Sequence, residues 1–406
     1  MQQSHNAAVG RAWIIWLIAP MVALTAASTD IYLPSLPGVA ADFHASSHQV
    51  QLTLSAFLYG YGATQLICGP LSDRFGRRPV LVAGLLLYVA ATIGCLFAPT
   101  IEWLIALRFV QAIGACAPPV IGRAVVRDVF PSDQIARAFS SIALVFTMAP
   151  IAAPMVGGYL EGSFGWRANF VMLMAIGVAL LGATHMLLKE TNPHINPLAL
   201  RPSRLVGNYV TMLANRRFLG YALCMGVSFS GVFAYISESP FILIDLVGLS
   251  PEAYGTAFGL VAIGFGLGSF ACGRLAHRHG VDGTIAIGIV CYIIAALTLN
   301  ALALAGILNV YAICLPMTGV SIAIGLIMPN CQAGAVSPFP MMAGAASALI
   351  GFMHTTLSSS TGLTVGRLHD GTQFPMTLAT LVCGVVLVAL FFGLIRRRAA
   401  DQSRIG

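Results

Sequence analysis

Asp30 carries the clearest chemical potential in this chain. It is an acid in Thr29-Asp30-Ile31-Tyr32-Leu33-Pro34, near the end of a long apolar run. An ionisable side chain in hydrocarbon is costly, so it faces a cavity or a partner and marks a functional position. An acid lining a cavity can take up and release a proton. Arg108, in Leu107-Arg108-Phe109-Val110-Gln111, is the expected counterpart. A rise of about 1.5 Å per residue, counted from opposite ends of two helices, brings Asp30 and Arg108 to the same depth. Protonating Asp30 would then leave Arg108 unpaired and bias the helix packing. A purely structural ion pair is the plainer alternative. Gln111, one turn from Arg108, faces the same side and can hydrogen-bond either residue.

Three further groups of residues stand out. The string Gly69-Pro70-Leu71-Ser72-Asp73-Arg74-Phe75-Gly76-Arg77-Arg78-Pro79 is the most specific in the chain. Its glycines, Gly69 and Gly76, allow a tight turn and close helix approach. Asp73 can pair with an arginine or sit at the positive N-terminus of a helix. Arg74, Arg77 and Arg78 can face headgroups or loop acids. A second string, Ala149-Pro150-Ile151-Ala152-Ala153-Pro154-Met155-Val156-Gly157-Gly158, combines helix-bending prolines with small residues that admit another backbone. Tyr32, Tyr59, Tyr61, Gln65 and His354 are candidate cavity-lining residues, although helical phase does not put all of them on one face. Weaker polar positions have plain explanations. Arg123 and Arg127 can snorkel to headgroups, Glu238 and Asp245 can sit in interfacial water, and His354 suits a hydrogen-bonded core histidine. His44 and His48 share an i, i+4 spacing without further metal ligands, and no metal site is expected.

These residues need a frame to hold them. The chain has 406 residues, 58% hydrophobic and 9% charged. Soluble domains carry about 25% charged residues, so most of this surface must face lipid. Continuous apolar runs rather than alternating ones exclude a β-barrel. Spans are expected near 13–34, 50–70, 80–98, 101–124, 137–160, 166–187, 217–238, 254–275, 283–305, 308–332, 341–363 and 374–395. The polar stretch 188–216 divides residues 1–187 from 217–406, two sets of six helices. Met1 to Gly10 is a polar lead, and the first apolar run is too long for a cleaved signal core. Nine cysteines are scattered singly, with no CxxC pair, so neither disulfides nor zinc are expected. The net charge of +7 does not indicate nucleic acid. Arg11, Arg74, Arg77, Arg78, Arg127, Arg137, Lys189, Arg201, Arg204, Arg216, Arg217, Arg274, Arg278 and the tail Arg396 to Arg398 fall in alternate loops. That pattern places both termini in the cytoplasm. Cys68 to Gly76 recurs as Cys272 to Gly280, 204 residues on, which indicates two homologous halves around a central path.

The loop string resembles the signature of the major facilitator superfamily. Asp30 with Tyr32-Leu33-Pro34, and Arg108 with Gln111, resemble its twelve-helix drug:H+ antiporters, and Thr29 to Pro37 is most similar to the Bcr/CflA group, associated with bicyclomycin and chloramphenicol export. The resemblance covers essentially the whole chain. It implies an all-α major facilitator fold of two pseudo-symmetric six-helix bundles. It also implies a conformational latch at Gly69, Asp73, Arg74, Gly76 and Arg77, proton coupling at Arg108, and protonation with substrate binding at Asp30. The antiporter helix pattern matches at Pro154, Gly157 and Gly158 but departs at Ala149 and Ala153, where closest approach would be reduced. The expected activity is proton-driven export of small amphiphilic drugs across the bacterial inner membrane, by a non-enzymatic monomer in contact with lipid and without a cofactor. No phosphate-binding loop is present. A proton crossing ~150 mV releases about 3.5 kcal/mol, enough for roughly a few-hundredfold substrate gradient. A proton-coupled symporter or exporter of a nutrient or metabolite remains the alternative. A membrane sensor or enzyme is disfavoured by the lack of clustered catalytic pairs.

Overall fold

The computed structural model of the chain describes residues 12–193 and 195–396. Met1 to Gly10, Arg11, Arg397 and Arg398 lie outside the described residues, as does the side chain of Arg204. All regular structure in the described residues is helical, as hydrocarbon demands of a chain whose backbone polar groups must be satisfied within each segment. The first bundle comprises α1 (Ala12–Asp30), α2 (Ser47–Phe75), α3 (Arg77–Leu96), α4 (Ile101–Val129), α5 (Ser132–Phe164) and α6 (Arg167–Leu187). After a linker helix, Pro202–Ala214, comes α7 (Arg216–Pro240). Pro251–Leu304 is one element broken at Gly280, whose φ of 71° separates α8 (251–279) from α9 (281–304). α10 (Val310–Val336), α11 (Ala343–Arg367) and α12 (Phe374–Leu390) complete two pseudo-symmetric bundles of six. Residues 12 and 396 lie at one end, here termed the terminal end. The opposite end, with the turns after α1, α3, α5, α7, α9 and α11, is the far end.

Among the described residues, nine elements are long and apolar enough to cross a membrane, with Pro251–Leu304 counted once. α2 and α11 are not among them, although they have 29 and 25 residues. Several of their polar side chains meet across the boundary between the bundles. The Tyr59 hydroxyl lies 2.8 Å from Ser360 Oγ, and Ser359 Oγ donates to the Ser55 carbonyl at 3.1 Å. Their polarity follows from lining an interface rather than lipid.

The repeat seen in the sequence has a backbone consequence. Gly76 and Gly280, its equivalent glycines, have φ of 97° and 71°. Both mark the break between the second and third helix of a half, in a conformation that side chains disfavour. At Gly76 the glutamate Glu190 also occupies the space a Cβ would take.

Two segments differ from the sequence expectation of plain connections. α1 is followed by a turn, Leu33–Ser35, and a further helix, Leu36–Phe43. Pro34 and Pro37 sit in first turns, where a missing N–H loses no bond. α2 then begins with a Ser46–Gln49 capping box. In the linker helix, Val206, Val210 and Leu213 form an exposed apolar stripe, and the Tyr209 hydroxyl donates to the Leu66 carbonyl at 2.7 Å.

Close approach between the bundles is concentrated on α5 and α8. A Cβ on Gly158 would collide with the Pro251 carbonyl and one on Gly255 with that of Pro154, whereas Gly157 packs within the first bundle against the Ile31 carbonyl. Ala149 and Ala153 therefore do not reduce the approach as expected, because α8 supplies the small residues at Gly255 and Gly259. Gly255→Val should destabilise the protein by about 1–3 kcal/mol through overpacking. Gly182→Ala, where nothing lies within 4 Å of the added carbon, should leave stability nearly unchanged. Thermal unfolding in detergent compares the two.

Candidate functional site

Arg108 is fully buried in the first bundle and is held without a carboxylate. Its guanidinium carbon lies 4.4 Å from the Phe57 ring centroid, 5.0 Å from that of Tyr32 and 5.8 Å from that of Phe170. Three aromatic faces of this kind attract a desolvated cation. Nη1 donates to Gln111 Oε1 at 2.6 Å, and Gln111 Nε2 donates to Thr92 Oγ1 at 2.8 Å. On the adjoining side Ser28 Oγ lies 2.8 Å from the Tyr88 hydroxyl. Nε and Nη2 of Arg108 have no partner among the described residues.

The expected Asp30–Arg108 pair is therefore not formed. Counting depth along two helices says nothing of direction around the axis. Successive helical residues advance about 100°, so Ser28 and Tyr32 share one face while Asp30, between them, faces about the opposite way. Ser28 and Tyr32 point into the first bundle. Asp30 is 7% exposed and its carboxylate accepts from Thr29 Oγ1 at 3.1 Å. It lies within electrostatic reach of Tyr254 on α8, across the boundary. Tyr32, expected in a cavity wall, is instead fully buried against Arg108.

The remaining candidate lining residues separate. Tyr59 meets Ser360 of α11. Tyr61 turns the other way, beside Arg123 and Gln65. Gln65 packs against Gly351, whose Cβ position it fills. His354 is not the hydrogen-bonded core histidine expected: its ring lies 4.6 Å from Phe229 and its Nε2 has no partner. A cavity of about 600 Å³ opens between the bundles at the terminal end, with Gln65, Asp73, Arg123, Arg127, Tyr209 and Ser347 in its wall. Arg123 and Arg127 thus face this cavity rather than headgroups, and Arg123 Nε donates to the Pro119 carbonyl at 3.0 Å. The far end is shut by the α2–α11 and α5–α8 contacts, so the path is open toward the terminal end.

The loop string forms a cluster beside that opening. Arg77 Nη1 reaches Asp73 at 2.5 Å and its Nε reaches Asp128 at 3.0 Å. Arg74 lies over the Phe75 ring at 5.2 Å. Gly69 has open space where a Cβ would go, so it admits no close helix as expected. Asp128 and Glu190 are partners that sequence reading missed. Glu190 accepts from the backbone N–H groups of Arg77 at 2.9 Å, Arg78 at 3.1 Å, Thr191 at 3.1 Å and Asn192 at 2.9 Å. It caps the positive N-terminus of α3 and pins the start of the linker there. Its position just before Thr191-Asn192-Pro193, well away from the loop in sequence, gave no local signal.

Glu238 was expected in interfacial water, and the structure buries it completely. Its Oε1 accepts from Gln51 Nε2 of α2 at 3.1 Å, and Oε2 lies 2.9 Å from His369 Nδ1. Asp245 is exposed at the far end.

Residues 18–363 match the Major Facilitator Superfamily. The chain belongs to that superfamily. It is a multi-pass membrane protein of a family of transporters, not an enzyme. The chain is 34% identical to "Uncharacterized MFS-type transporter YdgK" of Bacillus subtilis, over 96% of its own length and 97% of the relative's. It is 30% identical to "Bicyclomycin resistance protein homolog" of Haemophilus influenzae, over 92% and 94%. The solved xylose transporter XylE of E. coli superposes with a TM-score of 0.74 at 13% identity, over 94% of this chain and 97% of that one, and shares the fold.

Glu190 yields a pH prediction. Burial pushes its carboxyl up, but the N–H groups of Asn192, Arg77, Arg78 and Thr191 together hold it below the ordinary glutamate value. A lowered folded value means the clamp is fully present above the unfolded value of about 4.3 and is lost as pH falls through the lower, folded one. Amide hydrogen exchange at Arg77 and Arg78 should stay protected at neutral pH and accelerate only in that acid range. Glu190→Gln should remove most of that acid dependence.

Proposed function

We propose that this transporter exports small amphiphilic molecules across the bacterial inner membrane in exchange for protons, by alternating access, with both termini in the cytoplasm. The observation that carries this reading is Asp30. It is a buried carboxylate at the end of α1, turned toward the opposite bundle and hydrogen-bonded to a neighbouring threonine rather than to a cation. Such a group is in position to hold a proton in one state and cargo in the other. In this mechanism Asp30 gives up its proton toward the terminal end as cargo enters from the 600 Å³ cavity. Protonation from the far side then displaces the cargo and resets the carrier.

The loop arginines and the relative named as a bicyclomycin resistance protein homolog support the orientation and the class of cargo. Arg108 serves this scheme as a fixed positive charge behind α1. Its two unpartnered nitrogens offer donors to a group that arrives when the packing of α1 changes. The Arg77–Asp73–Asp128 cluster serves as the latch at the cavity mouth.

Everted membrane vesicles containing this chain test the scheme, with radiolabelled chloramphenicol as the probe. An acid interior should drive uptake that a protonophore abolishes. Asp30→Asn should lower proton-driven uptake at least about tenfold, the effect of removing one essential proton carrier, while exchange of labelled for unlabelled drug persists. Uptake at the native rate in this variant would remove Asp30 from the mechanism, and uptake driven by an alkaline interior would indicate a symporter. Arg108→Lys keeps a charge but loses the planar cation that stacks between rings. It should slow proton-driven uptake more than exchange, a ratio read in the same vesicles.

A further inference from the structure

We propose that Glu238 is a second proton-accepting site, the counterpart of Asp30 in the other bundle, and that its hydrogen bonds hold the far end shut. The proposal rests on the alternating-access reading above. Two features place Glu238 as the counterpart. α1 and α7 are the first helices of their halves, and each carries a buried acid where its regular turns end, at Asp30 and just before Pro240. The two acids are 208 residues apart, close to the 204-residue offset of the loop repeat.

Its surroundings are those of a gate. Gln51 belongs to the first bundle, whereas Glu238 and His369 belong to the second. Opening the far end must therefore break the Gln51 bond, while the Glu238–His369 pair travels together into water. Closure also strands polar atoms: Gln51 Oε1 and the neighbouring His48 Nδ1 are buried without partners among the described residues. Opening would hydrate them, so the closed state depends on what Glu238 returns.

The charges around the pair are few. Asp370 lies within electrostatic reach of Glu238, and Asp245 within reach of His369. His48 on α2 lies within reach of Arg367 at the end of α11. Tyr254 on α8 brings a hydroxyl close by, 3.0 Å from Ser239 Oγ. When closed, a proton held by Glu238 leaves the buried carboxyl neutral beside His369 Nδ1, 2.9 Å away. Loss of that proton to the far-side solution would leave an uncompensated buried negative charge, which a closed gate cannot hydrate. The closed far end is thus favoured with the proton bound and weakened without it.

The test uses the full chain in lipid nanodiscs, with spin labels carried by unnatural amino acids at Thr100 and Leu308, exposed far-end positions on opposite bundles. It is run in an Asp30→Asn background, so that pH dependence cannot come from Asp30. Raising the pH should shift the distance distribution toward longer, open values. Adding Glu238→Gln should make the distribution independent of pH. Gln51→Ala keeps Glu238 and His369. It should raise the open-to-closed ratio about fivefold at low pH, the effect of losing one hydrogen bond, with the pH response retained. A pH-independent Asp30→Asn parent, or an unchanged pH response after Glu238→Gln in a chain that elutes as a monodisperse peak, would overturn the proposal. Neither result bears on drug uptake by the Asp30→Asn vesicles, so the two readings can fail separately.

Discussion

In hydrocarbon no water completes an unpaired N–H or C=O, and every other feature of this protein follows from that constraint. Each span closes its own backbone bonds, so the chain is helical throughout the described residues. Chemistry is left to side chains on helix faces, and contact between bundles is left to residues small enough for backbones to meet. The α5–α8 seam, with Gly158, Gly255 and Gly259, and the polar α2–α11 seam are the two outcomes. One excludes side chains and the other pairs them. Both can part as rigid surfaces without unmaking a helix.

The buried charges are handled in two ways. Arg108 sits in an aromatic box with a neutral amide beside it, which stabilises a cation and leaves it free to gain a partner. Asp30 and Glu238 sit at helix ends on the boundary, where the opposite bundle supplies or withholds the environment of the carboxylate. An interior cation and boundary acids suit a carrier that changes the surroundings of its acids by moving one bundle against the other.

Much of this was legible in the sequence. Apolar runs located the spans, the arginine pattern set their expected orientation, and the loop repeat anticipated the equivalent left-handed glycines Gly76 and Gly280. What failed was azimuth and distant partnership. Depth counting put Asp30 opposite Arg108, but the residue two positions on, Tyr32, is the one that faces it. Glu190 and Asp128 are far from the loop they secure, and no spacing rule connects them. Glu238 looked interfacial because it stands near a helix end. Its burial depends on Gln51 and His369 arriving from other elements.

The polarity of α2 and α11 has a consequence for biogenesis. Among the described residues, both are less apolar than the nine other membrane elements. A segment of that kind enters the lipid only when neighbouring segments shield its hydroxyls and amides, since insertion is governed by summed residue transfer energies. α2 would have to be retained at the translocon until α1 and α3 accompany it, and α11 until α10 and α12 do. The polar faces that meet between the bundles would thus also set the order in which the nascent chain leaves the insertion machinery.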